Sequence, residues 1–391
     1  MIDNDRWQLP QGIEELLPVK AAALEALRVQ LLGSMQARGY RLVSPPMIEF
    51  LESLLTGTGS AVERATYRVS DSETGRTMGV RADFTPQVAR IDAHYLTDSE
   101  VNRLCYAGPV VRTRPRTPGG AREELQLGGE LFGIADLSAD YEVIDTMLNL
   151  FDVVGAKDVT LSIGHVGIYR ELVKLAKLDE QGKQAILATL QQFSIPDMDA
   201  LIEREGEISN GDLSSFRSLM DLSGDVSLLD SARAVLPNTA EIVACLDQLT
   251  GVCEFVTRSY PEVNIHIDLA NVRGYQYHTG IIFECLVEGA GKALANGGRY
   301  DAIGAGFGRS RPATGFSADL KALLSLQPEV FNQAKAILAP SEQGEGLRSV
   351  IAELRSSGEQ VINRLSETDA ELCDRQLVIK KNQWVVELLM H

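Results

Sequence analysis

The chain predicts an α+β architecture: a mainly antiparallel sheet flanked by helices, with a helical insertion and a small C-terminal α/β unit. Three observations carry that prediction. Strand-like segments come in adjacent pairs joined by turn residues, as at 67–70 and 76–81 around Asp71-Ser72-Glu73-Thr74-Gly75. Long connections separate those pairs, and the run from His165 to about Tyr260 is helical throughout, with breaks near Pro196, Gly211 and Gly224.

In order, residues 18–39 read as an amphipathic helix, with Pro18 near its start and Gly39 past its end. A short strand at 41–43 runs into Ser44-Pro45-Pro46-Met47-Ile48-Glu49-Phe50. Residues 103–112 and 125–132 pair around a loop rich in Pro and Gly, and a helix follows over 139–154 with Ser138 as its cap. A strand at 158–163 precedes the insertion, about 165–260, for which four to six short helices are expected. Strands resume with the period-two segment Val263-Asn264-Ile265-His266-Ile267-Asp268-Leu269 and continue through 281–287. Asn296-Gly297-Gly298-Arg299-Tyr300-Asp301 reads as a tight glycine loop, and a helix is expected after Thr314-Gly315-Phe316. Gln327-Pro328 reads as a linker, giving domains 1–328 and 329–391. The second should run strand, helix (346–355), strand, then one or two strands. No internal repeat or low-complexity tract is present.

Composition excludes several function classes. A chain of 391 residues, 45% apolar, can bury a large core. It has no uncharged apolar run of about 18 residues, so no spanning helix or membrane role is expected. Its start, Met1-Ile2-Asp3-Asn4-Asp5-Arg6-Trp7, is acidic where a signal peptide is basic, which points to the cytoplasm. The five cysteines form no Cys-x-x-Cys pair and the five histidines no metal-ligand spacing, so reduced core thiols and no metal are expected. A net charge of −17 disfavours broad nucleic-acid binding, the best basic patch being Arg112-Thr113-Arg114-Pro115-Arg116 with Arg122.

The segment Val272-Arg273-Gly274-Tyr275-Gln276-Tyr277-His278-Thr279-Gly280 gathers a guanidinium, two phenols and an imidazole between glycines. A small zwitterion needs such equipment: a cation for its carboxylate and polar groups for its other end. On a strand, Tyr275 and Tyr277 would share a face; Tyr277 is the favoured contact. Gln126 and Glu130, four residues apart on a predicted strand, face the same side. Asp83 and Thr85 offer a carboxylate and a hydroxyl two residues apart.

These segments resemble the histidyl-tRNA synthetases, a class II aminoacyl-tRNA synthetase family. The 272–280 stretch resembles their histidine-recognition motif, with Gln276 in place of an aspartate and His278 in place of a second tyrosine. Val80-Arg81-Ala82-Asp83-Phe84-Thr85-Pro86-Gln87 resembles their Arg-Pro-Glu-Gly-Thr loop. Pro45-Pro46-Met47-Ile48-Glu49 resembles motif 1, which builds the dimer interface in that family. Residues 106–112 with 125–133 resemble motif 2, and Gly297-Gly298-Arg299-Tyr300-Asp301 with Gly315-Phe316 the approach to motif 3. The resemblance implies a class II synthetase-like sheet, self-association through the class II interface, and a histidine pocket built from Asp83, Thr85, Gln126, Glu130, Arg273, Tyr277 and His278.

Departures from that pattern fall where ATP would bind. Adenylate formation builds charge that fixed arginines and Mg²⁺ must meet. Aligned on Arg114-Pro115, the phosphate arginine of motif 2 is Val111 and its glutamate Thr113; a one-residue slip puts Arg112 in the arginine's place. The motif 3 arginine is Ala322, with Lys321 beside it. Losing such a clamp costs about 10³ to 10⁵ in rate. The C-terminal unit is also shorter than a synthetase's anticodon-binding domain. A kept amino-acid pocket beside a dismantled ATP site resembles the regulatory subunits of ATP phosphoribosyltransferase, the synthetase-like paralogues of histidine biosynthesis. That resemblance implies no catalytic residue, no cofactor, L-histidine as ligand, no tRNA, and assembly with a short-form catalytic subunit that the chain activates and subjects to feedback inhibition. The alternative is a divergent histidyl-tRNA synthetase or synthetase-like ligase activating histidine with ATP.

Overall fold

The structure, a computed structural model, describes residues 7–117, 119–206, 213–272, 274–275, 277–327, 335–341 and 346–389. The chain divides into two compact units, Met1–Pro328 and Glu329–His391.

In the first unit, helix α1 (Pro18–Ala37) begins on Pro18, whose fixed φ suits a first helical turn. Then come β1 (Arg41–Leu42), β2 (Ile48–Phe50), α2 (Leu51–Leu55), α3 (Ser60–Ala65), β3 (Tyr67–Ser70), β4 (Thr77–Val80) and α4 (Thr85–Tyr95). The long hairpin β5 (Asn102–Val111) and β6 (Glu123–Phe132) leads into α5 (Ser138–Val154), which stops at Gly155, and β7 (Val159–His165). The insertion holds α6 (Val166–Ala176), α7 (Glu180–Gln192), α8 (Ile195–Gly206), α9 (Ser214–Asp221), the short β8 (Ser223–Gly224), α10 (Leu228–Val235) and α11 (Ala240–Ser259). Six helices thus occupy the predicted stretch among the described residues, and α11 is longer than expected, at 20 residues. Strands β9 (Asn264–Asp268), β10 (Ile281–Val287), β11 (Ala295–Arg299) and β12 (Ala313–Asp319) follow, then α12 (Leu320–Leu324).

Nine strands form one sheet in the order β1-β5-β6-β12-β11-β10-β7-β9-β8. Only β1 with β5 and β7 with β9 pair in parallel; the other pairings are antiparallel. Strands β2, β4 and β3 make a separate small sheet. Helices α1, α5, α11 and α12 pack on one side of the large sheet. On the other, Phe84, Val88 and Ala89 of the α4 region join Leu104, Tyr106, Val110 and Tyr300 in a closed apolar cluster. The second unit reads β13 (Ala336–Ala339), α13 (Leu347–Ser356), β14 (Val361–Asn363), β15 (Cys373–Lys380) and β16 (Gln383–Leu388), with its own core around Ile337, Leu347 and Ile351.

Three local expectations are corrected. The run 295–299 is a central strand rather than a glycine loop; a Cβ on Gly297 would lie 2.2 Å from the Gly315 carbonyl, so only glycine lets β11 and β12 come so close. The helix expected after Phe316 begins at Leu320, because 313–319 first completes β12. Around Tyr275 and Tyr277 the backbone is a turn and not a strand: Gly274 sits at φ +67°, and Tyr277 and His278 both donate their N–H to its carbonyl. The two tyrosines therefore part company. Tyr275 packs edge-on against Tyr169, while Tyr277 stacks on Tyr300.

Candidate functional site

The site grows from the alternation of β6. Side chains 124, 126, 128 and 130 share one face, as do their partners 110, 108, 106 and 104 on β5. Glu130 is buried at the centre of that face. Its Oε1 accepts hydrogen bonds from Thr85 Oγ1 at 2.9 Å and from the Tyr106 hydroxyl at 3.0 Å, and its Oε2 accepts from the Tyr300 hydroxyl. Opposite Glu130 in the ladder stands Gly315, where a Cβ would lie 1.6 Å from Oε2. Any side chain there would occupy the carboxylate's own space.

A carboxylate has about four lone-pair sites. Three are filled by hydroxyls; the fourth holds the carboxyl's own proton, or a ligand's N–H once that proton leaves. Burial pushes the Glu130 carboxyl up to about 8, although its hydroxyl donors oppose the shift. The Tyr106, Tyr277 and Tyr300 phenols are pushed well up by burial and the nearby carboxylates, so they remain donors. Glu130 carries a proton in the folded chain between about pH 4.5 and 8, where the unfolded chain has lost it. Folded protein then binds more protons than unfolded, and this contribution to stability falls as pH rises through that window. Replacing Glu130 with glutamine is expected to flatten the fall. Thermal midpoints of both proteins from pH 5 to 8.5 should run together at the acid end, where Glu130 is neutral like glutamine, and part at the alkaline end, where wild type must bury a charge; parallel curves would refute the assignment.

Around Glu130 lies a cavity of 210 Å³ whose lining includes Asp83, Thr85, Tyr277, His278 and Tyr300. The structure thus brings together five of the seven residues singled out from sequence. The Tyr277 hydroxyl and His278 Nδ1 are buried without a hydrogen-bond partner among the described residues. Unpaired buried polar atoms are costly, so a cavity lined by them suits a polar occupant. Burial pushes the His278 imidazole down to about 4, leaving it neutral at ordinary pH. Gln126 stands one step back: its Nε2 donates to Asp83 Oδ1 at 3.1 Å, its Oε1 accepts from the Phe84 N–H, and it lines a neighbouring cavity. Its place is to orient Asp83. Arg273 and Gln276 lie outside the described residues. Below the site, Arg81 donates to the Pro45 and Pro109 carbonyls and stacks on Phe84, fixing the loop that carries Asp83.

The neighbouring cavity, 560 Å³, spreads over the same sheet face and shares His278, Asn296 and Ser317 with the smaller one. Three carboxylates line it (Glu124, Glu284 and Asp319) against two cations, Arg116 and Lys292. Lys292 is paired with Asp319 at 3.0 Å, and Arg116 donates to Asn296. At the motif 3 position, Ala322 sits in α12 and gives its N–H to Asp319, while Lys321 reaches Glu14 at 3.4 Å. The motif 2 region places Arg112 and Val111 on opposite faces of the sheet. Arg112 extends the ladder on the Glu130 face and bonds Glu124 at 2.6 Å, whereas Val111 belongs to the opposite face. Arg112 is buried, its Nη2 has no partner among the described residues, and it adjoins Asp83 in a third cavity with Arg64, Arg114 and Arg116. Strand parity was the signal that could have placed it.

No helix among the described residues is long and apolar enough to cross a membrane, and none of their His, Cys, Asp and Glu side chains cluster as a metal site. All five cysteines are buried and unpaired.

Two family models match the chain: histidyl-tRNA synthetase over residues 12–323, and the ATP phosphoribosyltransferase subunit HisZ C-terminal domain over residues 334–387. Among curated relatives, the ATP phosphoribosyltransferase regulatory subunit of Marinobacter nauticus is 46% identical and covers 100% of both chains. That of Thioalkalivibrio sulfidiphilus is also 46% identical, over 99% of each. Among solved structures, an ATP phosphoribosyltransferase regulatory subunit/histidyl-tRNA synthetase from Bacillus halodurans superposes with a TM-score of 0.79 at 25% identity, covering 93% of this chain and 95% of its own. A histidyl-tRNA synthetase from Nostoc gives 0.75 at 19% identity over 98% and 97%, a likeness of fold. A synthetase-type sheet over residues 12–323 joined to that C-terminal domain, with relatives 46% identical over the whole chain, places the chain in the ATP phosphoribosyltransferase regulatory-subunit family.

Proposed function

We propose that the chain is the non-catalytic regulatory subunit of an ATP phosphoribosyltransferase in histidine biosynthesis. It activates a short-form catalytic subunit and carries feedback inhibition by L-histidine bound in the 210 Å³ cavity. The observation that carries this reading is the contrast between two adjoining cavities. The smaller keeps a buried carboxyl with one site not taken by hydroxyls, an unpartnered phenol and an unpartnered imidazole. It is smaller than the roughly 300–1,000 Å³ of pockets for drug-sized ligands, as befits a single amino acid. In the larger, both lining cations are already engaged, Lys292 with Asp319 and Arg116 with Asn296, so neither is free to meet a polyphosphate.

Within the small cavity, Glu130 accepts an imidazole N–H of the ligand, and Asp83 with Thr85 meets its ammonium group. Arg112 and Arg273 supply positive charge for its carboxylate. The chain self-associates through the class II interface, binds no tRNA and works in the cytoplasm. If histidine favours one of two states of the complex, its coupling to ligands of the catalytic subunit is reciprocal and about 1–3 kcal/mol.

Titration calorimetry of the purified chain is expected to show one histidine site per chain and no heat with ATP. Histidine-dependent exchange of pyrophosphate into ATP should stay at background. Exchange at a synthetase's rate would overturn the reading in favour of a ligase.

A further inference from the structure

Tyr277 and His278 owe their positions to a turn that contains no regular ladder. Among the described residues its internal bonds are Tyr275 N–H to the Val272 carbonyl, and the Tyr277 and His278 N–H groups to Gly274. Left to itself, a short turn with a glycine at positive φ would sample many conformers, and the Tyr277 and His278 side chains that line the cavity would wander with it. Something outside must hold it.

Two ties come from the sheet. Thr279 gives its N–H to the Arg299 carbonyl at 2.7 Å and its hydroxyl to Asp301 at 3.0 Å, but both act at the far end of the turn. The tie at the middle comes from the helical insertion. Arg170, one turn into α6, points its Nη2 at two backbone carbonyls of the turn, Tyr275 at 2.7 Å and His278 at 2.6 Å. One cationic nitrogen thus bridges the residues on either side of Tyr277. Such charge-assisted bonds are shorter and stronger than neutral ones. The adjacent Tyr169 adds an edge contact to the Tyr275 ring, and its own hydroxyl is anchored to the Lys183 carbonyl in α7.

We infer that Arg170 is a positioning residue for the ligand pocket: it clamps the turn that carries Tyr277 and His278, and so couples the helical insertion to occupancy of the cavity. The inference rests on the histidine-pocket reading and deepens it. It assigns the insertion a task, because whatever moves α6 also moves the two side chains with unpartnered polar atoms. Conversely, a ligand that fixes Tyr277 and His278 stiffens α6 through the same bridge. Arg170 itself is exposed and lies outside the cavity lining, so it acts through the backbone and not by touching the ligand.

The test uses the full chain, with L-histidine as ligand, in wild type, Arg170→Ala, Arg170→Lys and, as an exposed control on the same insertion, Arg217→Ala. Loss of the bridge is expected to weaken histidine binding by about 10- to 100-fold in Arg170→Ala. Lysine, whose ammonium can hold one carbonyl but not span both, should recover part of that loss, and Arg217→Ala should bind as wild type. Hydrogen exchange without ligand should show the Tyr277 and His278 amides exchanging faster in Arg170→Ala. With histidine, wild type should gain protection in α6 that this variant lacks. Wild-type affinity and unchanged exchange in Arg170→Ala would overturn the inference. If the wild-type chain itself binds no histidine, the pocket reading fails. In that case the ligand-free exchange rates still judge the clamp, faster amides supporting it and equal rates refuting it.

Discussion

Truncating Glu130 to alanine is expected to weaken histidine binding by about 100- to 1,000-fold, the largest binding effect of any single change in this pocket. Glu130 is buried and shared among three hydroxyls before any ligand arrives. Its removal takes away the ligand's acceptor and also leaves Thr85, Tyr106 and Tyr300 without theirs, at a site that water reaches poorly. Loss by truncation therefore exceeds the worth of one hydrogen bond. Calorimetric titration measures the affinity, and near-ultraviolet circular dichroism checks that the aromatic cluster of Phe84, Tyr106 and Tyr300 is still packed. A folded variant that binds histidine within threefold of wild type would remove Glu130 from the site.

The largest stability effect is expected at Asp140. Its carboxylate, on α5, receives Nε and Nη2 of Arg299 at 3.1 and 2.5 Å, and both side chains are buried. Arg299 spends its remaining donors on the Ile134 and Asp136 carbonyls and on Asp301. Asp140→Ala strips the charge that balances a buried guanidinium, and breaking such a pair costs about 3–5 kcal/mol. For a domain of this size that is a fall in thermal midpoint of roughly 4–7 °C. Breaking the ion pair of Arg217 with Asp221 on the insertion should move the midpoint little. Differential scanning calorimetry of Asp140→Ala and Asp221→Ala side by side decides the matter; equal small shifts would show that the Arg299 network does not brace the sheet. Because Gly280 lies against the Arg299 side chain and Thr279 bonds its carbonyl, Asp140→Ala should also loosen the end of the recognition turn.

What could be read from the chain followed wherever a period was present. The alternation over 124–130 put Gln126 and Glu130 on one face, and hairpin punctuation located β3 with β4 and β5 with β6. Legibility ended where tertiary contact overrides local pattern. Gly297 looks like a turn former, yet it makes a central strand because its neighbour's backbone needs the space. Tyr275 and Tyr277 look like strand residues, but Gly274 folds them into a turn that sends one ring outward to α6 and the other inward to Tyr300. Arg170 was invisible for a different reason: the carbonyls it holds are 105 and 108 residues away, and backbone acceptors leave no mark in side-chain identity.

The order in which β6 and β12 lie side by side has a consequence for how the protein is made. Glu130 meets Tyr300 across 170 positions of chain, and its ladder partner Gly315 emerges later still. During synthesis the first wall of the pocket must wait, half built, while the whole insertion and three more strands leave the ribosome. Contacts so distant in sequence form slowly, and the exposed edge of β6 is vulnerable in the meantime. A nascent chain halted before Gly315 cannot enclose its own glutamate, so competence for the amino acid arrives only when the large unit is finished.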